Sequence, residues 1–154
     1  MRELRRKERA MEELDARTLL RDCRHAVVAM VGEDERPYAV PVSPVLDGDT
    51  LYFHSARLGE KVDALKIHPE VCVTAVGEHH TVEEKYTEAY RSVIARGRAE
   101  RAEGEEKRRA LRLLSEKYCP TTADRWEGEA ARYDAAVLVY AVRLRQISGK
   151  QNPG

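Results

Sequence analysis

No apolar run in this 154-residue chain is longer than Ala135 to Val142. That is far short of the roughly 20 residues that cross a bilayer, so no membrane-spanning helix is expected. Cysteine is scarce and odd in number, with Cys23, Cys72 and Cys119 widely separated and no C-x-x-C pair. A disulfide framework and a zinc knuckle are thereby excluded, and three buried or half-buried free thiols are expected. Charge of one sign is not in excess, since 27 basic residues face 27 acidic ones. A dedicated nucleic-acid binder needs a basic excess to displace counterions, so no nucleic-acid partner is expected. The basic start, Met1 to Arg9, has no interleaved aromatic residue for base stacking and reads as a solvated extension. It also lacks the apolar segment of a secretory leader, from which a cytoplasmic location is expected. G-x-S-x-G, P-loop, G-x-G-x-x-G and H-E-x-x-H motifs are all missing. Hydrolase and nucleoside-triphosphatase readings lose their usual support, and Ser43, Ser55 and Ser92 have no case as nucleophiles. Repeats and long linkers are missing too, so residues 1–154 read as one domain, with 1–10 a charged extension and 149–154 a tail.

What is present is an alternation of short β-rich runs with amphipathic segments. A helix is expected from Asp15, as N-cap, to Cys23, with Leu14 and Leu19 as a hydrophobic staple. His25 to Val31 reads as a strand buried on both faces, and Pro37 to Leu46 as a second strand. Asp47-Gly48-Asp49 turns the chain into a third strand, Thr50 to His54, closing a hairpin. Pro41 and Pro44 cannot donate to a ladder and place the second strand at an edge, a bulge or a ligand site. Gly59 to Ile67 reads as a short helix ended by Pro69. Val71 to Val76 and Tyr90 to Glu100 read as strands, with polar Glu78 to Glu88 between them as a loop or frayed helix. In the second of these, Arg91, Val93, Ala95, Gly97 and Ala99 share one face. Glu103 to Tyr118 is a surface helix with a Leu111, Leu114, Tyr118 stripe and an exposed Glu105–Arg109 pair. Ala135 to Ile147 is apolar on both faces, as a central strand would be. Trp126 and Tyr133 before it read as core packing. Short sequential strands with helices at their ends favour an antiparallel barrel over a doubly wound sheet, giving a mainly β fold with peripheral helices.

Candidate chemistry concentrates in Leu51 to Lys61. A strand ends at His54, small residues follow and a helix begins near Gly59. Free helix amides, the Ser55 hydroxyl and the Lys61 ammonium would surround one helix start, the usual setting for a phosphate. Ser, Gly and Lys in such a turn also serve capping and solubility alone, so both readings stand. His54 is a candidate acid, base or ligand, or a hydrogen-bonded structural residue. The adjacent His79 and His80 point apart on any regular element and have no carboxylate at ligand spacing, so no metal is expected.

Pro37-Tyr38-Ala39-Val40-Pro41-Val42, Asp47-Gly48, Leu51 to Ala56 and Gly59-Glu60-Lys61-Val62-Asp63-Ala64-Leu65 form a pattern when taken in order. With Tyr90 to Ile94, Gly97-Arg98-Ala99 and Glu106 to Leu111, it resembles the pyridoxamine 5′-phosphate oxidase-like flavin-binding family, in its branch related to nitroimidazole-resistance proteins. The resemblance covers residues 11–148. It implies a split β-barrel homodimer holding FMN in a cleft between subunits. The backbone of Val40, Pro41 and Val42 would face the flavin ring, His54, Ser55 and Ala56 the ribityl chain, and Lys61 the phosphate, with Arg91, Ser92 and Val93 completing the site. The activity implied is that of an oxidoreductase on a small molecule, including reduction of a nitro group. The chain departs from the oxidase proper in ending Ile147-Ser148-Gly149-Lys150 without an arginine-rich substrate segment. The alternatives are a non-catalytic flavin or haem carrier, in which His54 would matter most, and a structural dimer with a vestigial cleft.

Overall fold

The computed structural model describes residues 4–154, apart from the side chains of residues 127, 129–131 and 133. The expected packing of Tyr133 and the first three residues of the charged extension therefore lie outside the described residues. Two residues, Ala10–Met11 (β1), precede helix α1 (Glu13–Asp22). Strands β2 (Ala26–Val31), β3 (Pro37–Val42), β4 (Val45–Asp47) and β5 (Thr50–Ser55) lead to α2 (Glu60–Ile67). The long strands β6 (Glu70–Val82) and β7 (Thr87–Ala102) are followed by α3 (Gly104–Tyr118), α4 (Trp126–Ala136) and β8 (Leu138–Asn152). All strand pairs are antiparallel, in the order β3-β2-β6-β7-β8-β5-β4, with β1 added to the end of β8.

The sheet curls around one core. Val28 of β2, Leu51 and Phe53 of β5, Val73 of β6, Val93 of β7 and Val142 of β8 are fully buried there with Leu20 of α1. Each such side chain contributes about 1.5–3 kcal/mol by leaving water. Val62 and Leu65 of α2 close one end of this core. A second cluster covers the outer side of β5 and β8, where Val45, Tyr52, Val139 and Ala141 meet Leu111 and Leu114 of α3 and Trp126 of α4. The apolar stripe of α3 and the packing of Trp126 thus follow the sequence expectation.

Several expectations are corrected. Helix α1 starts two residues before Asp15, with Glu12 at the N-cap and no side-chain cap. Leu14 is 74% exposed, so it forms no staple. Strand β2 is not buried on both faces; Val27 and Val31 are exposed while Val28 and Met30 are buried, the alternation of a sheet with one open side. The second expected strand is two, β3 and β4, broken at Ser43-Pro44. Pro44 is fully buried, and its carbonyl accepts from Lys117 Nζ at 2.8 Å and the Tyr118 hydroxyl at 2.7 Å. Residues 78–88 are not a loop. Strand β6 continues to Val82, a 3-10 turn spans Glu83–Lys85, and Tyr86 in the left-handed region (φ 48°) starts the return. Backbone pairing with β7 organises this polar segment although Val82 and Tyr86 are its only apolar residues. Arg109 bonds Asp47 on the β4–β5 turn at 2.8 Å, not Glu105, which Arg108 takes at 3.2 Å. Cys119 is exposed, whereas Cys23 and Cys72 are half-buried.

Candidate functional site

Strand alternation decides what β5 presents. Phe53 and Ser55 point into the barrel, and Phe53 stacks on Tyr140 at 5.5 Å. His54, in register with Val139 on β8, faces the other way and is exposed. The Ser55 hydroxyl is buried and donates to the Ala56 carbonyl at 2.9 Å. His54, Ser55 and Ala56 therefore offer one surface only through their backbone, because consecutive side chains diverge.

The turn after β5 runs into α2 through Gly59, whose φ of +130° suits only glycine and whose missing Cβ faces open space. Gly59 supplies no side-chain cap, and its carbonyl accepts from the amides of Val62 and Asp63 at 2.8 and 3.1 Å. The first amides of the helix are left for an outside acceptor. Lys61 stands beside them, half-buried, with its ammonium 5.6 Å from the centre of the Phe53 ring. No carboxylate pairs with it among the described residues. Burial pulls the Lys61 pKa below its ordinary value. Desolvation first, and the Lys61 charge second, hold the His54 imidazole below its ordinary value. A half-buried ammonium with no carboxylate partner among the described residues, at an uncapped helix start, can receive an anion.

The other expected site residues lie elsewhere. Strand β3 pairs only with β2, so Pro41 sits on an end strand of the sheet order where its missing amide does no harm. Val40 is half-buried, Pro41 exposed and Val42 buried in the core. On β7, Arg91 is exposed, the Ser92 hydroxyl donates to the Lys150 carbonyl at 3.4 Å, and Val93 is fully buried. Pro41 and Ile94 share one row across the sheet through Val27 and Thr74, on the order of 14 Å apart. His54 lies in the row of Val139 and Ala102, so Arg91 is separated from it by on the order of 35 Å of strand. One chain does not gather its ten candidate residues.

A cavity of about 240 Å³ opens on the outer side of β7 and β8, lined by Arg57, Arg101, Lys107, Asp134 and Val139 among others. Its basic groups are engaged. Lys107 bonds the Asp134 carboxylate at 3.1 Å and its carbonyl at 2.6 Å, and Arg57 donates to the Ala135 carbonyl at 3.1 Å, fastening the end of α4. Arg57 lies within the Leu51 to Lys61 segment, but no sequence signal joined it to Arg101, Lys107 and Asp134, which come from separate elements. The outer face of β2, β6 and β7 presents Val27, Val31, Val76 and Ile94, each 37–60% exposed. Among the described residues no cluster of three metal-ligating side chains occurs, and no helix is long and apolar enough to cross a membrane.

The fold is a split β-barrel, with the half-buried Lys61 beside an uncapped helix start at one barrel end. Residues 12–151 match the family model of pyridoxamine 5′-phosphate oxidase, and the chain belongs to that family. Among curated proteins none matches. The chain is similar in structure to a candidate 5-nitroimidazole antibiotic resistance protein of Bacteroides thetaiotaomicron VPI-5482, with 24% identity, TM-score 0.73, and 92% of this chain and 85% of that one covered. It is similar to the conserved protein Rv2991 of Mycobacterium tuberculosis, with 17% identity, TM-score 0.81, and 97% and 90% covered. It is also similar to an FAD and heme binding protein of Mycobacterium smegmatis, with 22% identity, TM-score 0.77, and 96% and 75% covered.

Proposed function

We propose that this chain is an FMN-binding oxidoreductase acting on a small molecule, with the cofactor held at a seam between two copies. The observation that carries the reading is Lys61, a half-buried cation without a carboxylate partner among the described residues, beside the uncapped start of α2. The residues fit a phosphorylated, flat-ringed cofactor. Lys61 and the first amides of α2 would hold its phosphate, and the backbone from His54 to Ala56 its chain. A bound flavin would supply hydride or electron transfer through its N5 atom, including transfer to a nitro group.

Strand separation and surface character support the homodimer reading. Along the sheet, the row of His54, beside the Lys61 turn, and Arg91 are separated by on the order of 35 Å of strand, and a two-fold partner would offer a second copy of each. The exposed Val27, Val31, Val76 and Ile94 supply the apolar face such an interface needs. A second reading, haem carriage, is favoured by His54 alone, because an exposed imidazole whose pKa is drawn below its ordinary value can ligate iron in its neutral form.

The test is the absorbance spectrum of the purified protein and its titration with FMN, FAD and riboflavin. A flavin band near about 450 nm with FMN bound more tightly than riboflavin supports the proposal. A Soret band supports the haem reading. Equal affinity for FMN and riboflavin removes the phosphate cradle, and the flavin assignment with it.

A further inference from the structure

At the far end of β7 and β8, away from Lys61, three residues distant in sequence converge. The short strand β1 pairs with the end of β8, Ala10 opposite Lys150 and Met11 opposite Gly149. Gly149 permits the approach, since a Cβ there would lie 2.8 Å from those of Met11 and Ala16. This pairing brings Arg9, one residue before Ala10, to the end of β8 that carries Lys150 and Gln151. On its other side Lys150 stands opposite Ser92 of β7, and its ammonium lies 5.8 Å from the centre of the Tyr90 ring. Hydrogen bonding by Lys150 first, and then by Arg9, draws the Tyr90 phenol below its ordinary pKa. Arg9, Tyr90 and Lys150 are all half-buried, and among the described residues no carboxylate pairs with either cation. Two cations near one phenol, neither paired with a carboxylate among the described residues, repel each other, and half-burial weakens the screening of that repulsion. An oxyanion from outside relieves it, accepting from both cations and from the phenol.

We infer that Arg9, Tyr90 and Lys150 form a second oxyanion receptor, separate from the Lys61 cradle, which takes the carboxylate or phosphate of a small-molecule reaction partner. The receptor itself rests on the three residues alone; its assignment to the reaction partner rests on the flavin reading. Tyr90 and Lys150 flank Ser92, a candidate cofactor residue, and Tyr90 shares its face with Ile94, the apolar face offered to a second copy. In the dimer the receptor therefore borders the cofactor cleft, where a substrate's anionic group would be fixed while its reducible end meets the flavin. The basic start of the chain gains a role in this arrangement, with β1 as the device that delivers Arg9.

The cofactor-free chain is titrated with inorganic phosphate and, separately, with acetate at low salt, following the ¹⁵N amide signals of Arg9, Tyr90 and Lys150. Saturable shifts with either anion are expected in the natural sequence. They should weaken about tenfold in Lys150→Gln and several-fold in Tyr90→Phe, and disappear in Arg9→Gln with Lys150→Gln. Signals elsewhere report that each variant remains folded, and the single variants decide the matter should the double one not fold. Absence of saturation, or saturation unchanged by the substitutions, overturns the receptor. In the FMN-loaded protein, 4-nitrobenzoate should bind about tenfold more tightly than uncharged 4-nitrobenzamide, and Lys150→Gln should erase that preference. Equal binding of the pair overturns the reaction-partner assignment. Failure of FMN to bind at all strikes the proposed function, while the phosphate and acetate titrations still decide the receptor.

Discussion

Arg143 of β8 clasps Glu106 of α3 through two hydrogen bonds, at 2.6 and 2.9 Å, and Glu106 also accepts the Tyr52 hydroxyl at 3.0 Å. The clasp fastens the first turns of α3 over the outer core. The Arg143 hydrogen bonds hold the Glu106 carboxyl below its ordinary pKa. A carboxylate whose folded pKa is lowered adds stability above its unfolded pKa and loses it as pH falls through the folded value. Both side chains are partly exposed, so solvent screens the pair and Glu106→Gln should cost about 1 kcal/mol at pH 7. Urea midpoints measured from pH 7 downward should converge for the two proteins below about pH 4. A difference independent of pH would contradict the assignment.

Lys61→Ala should weaken FMN by about 1.5–3 kcal/mol, because it removes a charge-assisted bond to phosphate. Riboflavin, which lacks the phosphate, should bind both proteins equally. Calorimetry checks both, and an unchanged FMN affinity would remove Lys61 from the site.

His54 should titrate below a free imidazole in proton NMR, and Lys61→Ala should raise its pKa only in part, since desolvation is the larger cause. With the folded pKa lowered, the neutral form's contribution to stability is complete above about pH 6.5 and is lost as pH falls through the folded value. A His54 titrating above a free imidazole would contradict this environment.

Gly97→Ala and Gly128→Ala should act in opposite directions. Strand β7 shifts register against β8 between Arg96 and Gly97, and a Cβ at Gly97 would collide with the Arg143 carbonyl. Two sheet backbones cannot yield as a flexible side chain does, so a loss of about 3 kcal/mol or more is expected. A Cβ at Gly128, inside α4, meets open space, and alanine there should add up to about 1 kcal/mol. Thermal unfolding of both variants checks the pair.

Val27→Glu together with Ile94→Lys should yield monomers with the fold intact, since both side chains point outward, away from the core. Sedimentation equilibrium checks the mass, and circular dichroism the fold. A dimer that survives both charges would place the interface elsewhere.

Much of the scaffold was legible in the residue order. The valine-rich run at Ala26–Val31, the Asp47-Gly48-Asp49 turn, Gly59 at the start of α2 and the Leu111–Leu114 stripe announce themselves through local propensity and periodicity. The 78–88 hairpin did not, because its strands are held by pairing with each other and not by an apolar pattern of their own. The open face of β2 was hidden for the reverse reason: Val27 and Val31 are as apolar as Val28, and only the sheet's curvature tells which side is covered.

By itself, the order of residues determined an antiparallel barrel with a glycine-started turn carrying Lys61, because turn, cap and strand preferences act over a few neighbours. Only the tertiary structure decided that Lys61 has no carboxylate partner among the described residues, that Arg91 lies eleven positions along β7 from the row of His54, and that the strand after Arg9 pairs with β8 at Lys150, across nearly the whole length of the chain. Charge pairing and site assembly depend on long-range register and packing, which local propensities do not encode.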